Sequence, residues 1–130
     1  MATSTFIKVL DDIRDIRAQA VADVDDFKGK MPTTRYITTA LDDIVHAVAR
    51  LDEIDRLLWS LEKITPGDTK SPAVEDRLVL VRMLREVSEA QAALATTTRT
   101  ASRTESEGRT AALREAFRSV YYALYDDIRD

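Results

Sequence analysis

Between residues 36 and 64 apolar side chains recur at steps of three or four: Ile37, Leu41, Ile44, Val48 and Leu51, then Ile54, Leu58 and Leu61. That spacing keeps them near one side of an α-helix, whereas a half-buried strand would alternate at every second residue. A helix of this length with one dry side has to be covered by something else. From Leu51 onward the stripe swings around the helix and widens, so that Leu57 and Trp59 fall on nearly opposite sides. One neighbouring helix cannot cover Ile54, Leu57, Leu58, Trp59, Leu61 and Ile64 together, and each one left wet forgoes about 1.5–3 kcal/mol. This end is expected to be either the best-surrounded part of a core or an interface.

The rest of the chain supplies candidates for the cover. A first helix is expected from about Ser4 to Lys28, capped by Thr3 or Ser4. It carries Phe6, Val9, Leu10, Ile13, Ile16, Ala20, Val21, Val24 and Phe27 in one sector, with Ile7 apart. Gly29 and the Lys30-Met31-Pro32 run predict its end, because a residue before proline is pushed out of the helical region. Thr33 or Thr34 is placed to cap the second helix, expected to reach Ile64. Residues 65–70 read as a loop, followed by Ser71 as an N-cap and Pro72 at the first helical position, where its missing N–H costs nothing. The third helix carries two stripes: Val74, Leu78, Val81, Leu84 and Ala92 on one side, and Leu80, Met83, Val87 and Leu94 roughly opposite. Such a helix is expected to lie between two neighbours or to lend one side to another chain.

Residues 96–110 contain only Ala101 as an apolar residue and read either as a polar connection or as a weak helical extension. Ser102 with Glu105, and Thr104 with Glu107, both have capping-box spacing for the start of a fourth helix. Its stripe is Leu113, Phe117, Val120, Tyr121, Leu124 and Ile128, with Tyr122 pointing away; Asp126, Asp127 and Asp130 at the negative end of the helix dipole predict fraying. No strand-like alternation of useful length and no internal repeat is present. The simplest architecture is all-α: a single domain over residues 1–130, folded as an antiparallel bundle of four helices. If residues 96–110 are helical throughout, the third and fourth elements join into one rod, and an extended helical hairpin or coiled coil results.

Composition narrows the function classes. A chain of 130 residues buries a core without staples, and its three glycines and three prolines favour few, long elements. The absence of cysteine removes disulfides and thiolate metal sites and, with an opening that does not read as a secretory signal, points to a soluble cytoplasmic protein. The longest aliphatic run, residues 78–81, is far too short to span a bilayer, so no membrane partner is expected. The net charge of −4 weakens the case for a free-standing nucleic-acid binder. Residues 77–118 nevertheless hold eight arginines against five glutamates, whereas residues 1–65 hold twelve acids against nine bases.

Little in the chain suggests chemistry. His46 is the single histidine, and Asp43 stands three residues before it, a spacing used by metal sites in bundles; those sites need four carboxylates and two histidines, which this chain cannot supply. Carboxylate pairs occur at Asp11 and Asp15, Asp52 and Glu53, and Glu86 and Glu89. Residues 52–61 are faintly similar to one helix of the magnesium-dependent helical nucleotide pyrophosphatases. Arg56 stands where that family's motif has an acid, and the helix of Glu86 and Glu89 follows rather than precedes it, so acids on wet faces are the better reading. Gly29, Gly67 and Gly108 are isolated and form no phosphate loop. No cofactor and no enzymatic activity are expected.

The surplus of apolar faces leads instead to a non-enzymatic helical protein–protein interaction module: an oligomeric scaffold, an adaptor or a small subunit of a larger complex, binding itself or another chain. The expected contacts are Leu57, Trp59, Leu80, Met83, Val87 and Tyr122, with Trp59 and Tyr122 as anchors, because aromatic residues dominate interface energetics; the alternative is that Trp59, Leu80 and Met83 simply fill the core. Arg99, Arg103, Arg109, Arg114 and Arg118 are possible charged contacts, to be weighed against surface ion pairs such as Glu115 with Arg118. They motivate an alternative, a helical subunit or inhibitor at a nucleoprotein complex, where nucleic acid is met only as part of the assembly. A small metal- or nucleotide-dependent enzyme is a second alternative.

Overall fold

The computed structural model describes residues 5–30, 37–64, 72–96 and 103–129. They form four helices, α1 (Thr5–Lys30), α2 (Ile37–Glu62), α3 (Pro72–Thr96) and α4 (Arg103–Arg129), with no strand among the described residues. The expected caps at Thr3 or Ser4, Thr33 or Thr34, Ser71 and Ser102, the loop at residues 65–70 and Arg99 lie outside the described residues, as do the side chains of Val74 and Ile128.

The helices begin and end for identifiable reasons. Pro72 is the first residue of α3, as its fixed φ and missing N–H favour. Glu75 in the same first turn is a favourable partner for the positive end of the helix dipole. α1 runs two residues further than expected, through Gly29 to Lys30, and ends with Lys28 and Lys30 in its last turn, where cations suit the dipole. Asp26 accepts from the Lys30 ammonium at 2.9 Å and holds its pKa above the ordinary lysine value. α4 begins at Arg103, ahead of Thr104, so residues 103–110 are helical despite their polarity. α3 and α4 are separate helices packed on each other, which replaces the single-rod alternative with the bundle.

Contacts between helices define their directions. Arg14 of α1 donates to Glu62 of α2 at 3.1 Å, Arg17 pairs with Asp55, and Asp23 accepts from Arg50 at 3.0 Å, so α1 and α2 are antiparallel. The backbone N–H groups of Thr5 and Phe6 donate to the Asp76 carboxylate at 3.1 and 3.0 Å, which puts the starts of α1 and α3 at the same end. α1 is thus capped by a residue of α3, far away in sequence. α2 and α4 form the closest pair, with α1 against α2 and α3 against α4.

The closeness of α2 and α4 comes from small residues. Gly108 is buried, and a Cβ at that position would stand 2.4 Å from the backbone carbonyl oxygen of His46 and 3.1 Å from the Cβ of Ala49. Ala47, Ala49, Ala112 and Ala116 are buried as well. Because α4 comes in over Ala49, the N-terminal half of α2 does not bury all of its expected stripe. Leu41 is exposed, while Ile44 and Val48 are half-buried.

Val9 and Ile13, Ile54 to Leu61, Val79 to Val87 and Leu113 to Val120 supply the large buried side chains, level with the C-terminal half of α2. There Ile54, Leu57, Leu58 and Leu61 all reach the core, because three helices surround that end. The stripe of α3 expected to supply partner contacts faces inward instead, and Leu84 and Leu94 pack against the core from its margins. Leu80, Met83 and Val87 are the core side, and Leu78 and Val81 are the exposed one. Leu57, Leu80, Met83 and Val87 are therefore enclosed by their own chain and present no free surface to a partner.

Candidate interaction surface

With those four residues inside, Trp59 and Tyr122 are the expected contacts that remain outside, 63% and 60% exposed. Each borders an open groove on α1. Trp59 lies with Leu58, Asp55 and Glu62 opposite Arg14 and Arg17, in a groove of about 560 Å³. Tyr122 lies with Arg118, Ser119, Ala123 and Asp126 opposite Thr5, Lys8 and Asp12, in a groove of about 510 Å³. Arg14 and Arg17 occupy one flank of α1, and Thr5, Lys8 and Asp12 the other, so the two aromatic anchors flank the same helix.

The Trp59 groove is held by charge. Glu62 accepts from Arg14, and Asp11 accepts from the same guanidinium at 3.0 Å; Glu62 first and Asp11 second raise the Arg14 pKa above its ordinary value. The Lys63 ammonium sits 3.1 Å from the centroid of the Trp59 ring, a cation–π contact that leaves most of the indole in water. At the other groove, rings stack along α4. Phe117 and Tyr121 are 5.7 Å apart, Tyr121 and Tyr125 are 6.5 Å apart, and Tyr122 meets Tyr121 edge-on at 5.7 Å. Tyr121 was expected in the buried stripe but is 46% exposed, because the inward face of α4 centres on Ala112, Leu113, Ala116 and Val120. A helical wheel drawn on large apolar residues alone misses those alanines.

The charged residues are mostly engaged with one another. Arg50 is only 13% exposed and donates both to Asp23 of α1 and to Glu115 of α4, tying three helices together. Glu115 is therefore turned toward Arg50, and the surface pair expected between Glu115 and Arg118 does not form. Arg103 donates to Glu107 at 3.1 Å and Arg109 to Glu105 at 2.7 Å. Glu53 lies buried between Arg56 and Arg109, 3.7 and 3.8 Å from them, while the Arg109 Nε is buried without a hydrogen-bond partner. Among the possible charged contacts in described residues, Arg114 and Arg118 alone form no ion pair.

Asp11, Glu53 and Glu89 each face an arginine, and no cluster of metal-binding side chains is present among the described residues. His46 is half-buried beside an exposed Asp43, and its backbone carbonyl meets Gly108. No helix among the described residues is long and apolar enough to cross a membrane. The chain matches no family model, no curated protein and no solved structure.

Proposed function

We propose that this chain is a cytoplasmic, non-enzymatic helical module that docks against a polypeptide through aromatic side chains on its outer faces. One observation carries this reading. Of the seven described aromatic residues none is buried and four, Trp59, Tyr121, Tyr122 and Tyr125, are exposed, while the core is made of aliphatic side chains. Large rigid rings lose little entropy on being covered and are the residue types that most often anchor interfaces.

A photo-crosslinking amino acid placed at Trp59 or Tyr122 in the producing cells is expected to yield a polypeptide adduct of discrete mass. The same group at Asp25, on an exposed and polar part of α1, is expected to yield none. Equal crosslinking from all three positions, or none from either aromatic position, overturns the reading.

A further inference from the structure

We infer that the outward face of α4 pairs with the same face of a second copy of this chain, the two helices antiparallel and crossing at Tyr122. This rests on the reading of the chain as an interaction module and names its partner. Tyr122 and Tyr125, 60% and 53% exposed, stand at the centre of the face. One turn before Tyr122 is Arg118 and one turn after it is Asp126, both exposed; they line the open groove opposite Lys8 and Asp12 of α1, yet neither forms an ion pair among the described residues. Glu115, the residue placed to neutralise Arg118 along the helix, is occupied by Arg50.

In an antiparallel pair with Tyr122 on the two-fold axis, residues equidistant from Tyr122 oppose each other. Arg118 of each copy then meets Asp126 of the other, so both unpaired charges are matched twice. A parallel pairing sets Arg118 against Arg118 and Asp126 against Asp126. The charge order along α4 is thus self-complementary in one orientation only, and that orientation closes as a two-fold dimer. With about half of each tyrosine still uncovered, the three rings offer roughly 300 Å² per copy. Together with Arg118 and Asp126, two copies approach the roughly 1,000 Å² at which specific interfaces begin, so the dimer is weak and concentration-dependent.

Sedimentation equilibrium from micromolar to millimolar protein is expected to show the mass rising from 14.6 kDa toward twice that value. Tyr122→Ala is expected to weaken association about tenfold or more without changing helix content, since the side chain lies outside the core. Arg118→Asp alone and Asp126→Arg alone each weaken it, because each creates two like-charge contacts. The double variant, or an equimolar mixture of the two single variants, restores it. A mass that stays at 14.6 kDa throughout, or a dimer indifferent to the charge exchanges, overturns the pairing. A monomer that still crosslinks another polypeptide from position 122 overturns self-pairing while leaving the module reading intact.

Discussion

At the scale of single residues, Arg50 separates ion pairs that hold the fold from those that decorate it. Its guanidinium is largely out of water and donates at 3.0 Å to Asp23 and at 2.8 Å to Glu115. Removing one partner of such a group leaves the others short of hydrogen bonds in a poorly solvated place. Arg50→Ala is expected to lower stability by about 1–3 kcal/mol in equilibrium urea denaturation, discounted for the partial exposure of both acids. Arg85 and Glu89 form an exposed pair within one helix, and Arg85→Ala is expected to cost less than about 0.5 kcal/mol. Equal losses for the two variants would mean that the three-helix clamp adds nothing to a surface pair. None of this could be read along the chain, where Arg50 is one arginine among many and its partners lie 27 and 65 residues away.

Between elements, the decisive feature is the approach of α4 to α2 at Gly108. The sequence marks that glycine only as isolated, and a glycine inside a helix ordinarily costs about 1 kcal/mol relative to alanine. Here the missing Cβ admits the His46 carbonyl, a backbone atom that cannot swing aside as a side chain would. Gly108→Ala is expected to lower the urea midpoint, because overpacking of about 1–3 kcal/mol outweighs the gain in helix propensity. A raised midpoint would show that the two helices stand farther apart. The same approach explains why Ala47 and Ala49 are buried while Leu41 is exposed: where two backbones come close, small side chains fill the seam and larger ones are displaced outward.

For the whole molecule, the core is unevenly distributed. Ile13, Ile54, Leu61, Leu80, Met83 and Leu113 fill one region, whereas burial toward the end of α1 and the starts of α2 and α4 relies on Ala20, Val24, Ala47, Ala49 and Gly108. Local opening costs least where few large apolar contacts are broken. Amide hydrogen exchange is therefore expected to be slowest around Ile54–Leu61 and Leu113–Val120, and faster at residues 40–46 and 103–107; uniform protection would contradict the gradient. The periodicity of apolar residues was enough to determine an all-α chain, because amphipathic spacing is a local property of one segment, and Gly, Pro and capping residues marked most helix limits. Whether residues 96–110 joined α3 to α4 as one rod or separated them in a bundle stayed open. Periodicity also placed Tyr122 outside, since its position on α4 opposes the stripe. Which stripe of α3 faces inward, which aromatic rings stay wet and which acid each arginine holds were decided only in the tertiary structure. Those outcomes depend on how closely pairs of helices approach and on the rotation each adopts, and both are set by contacts between residues far apart in the chain.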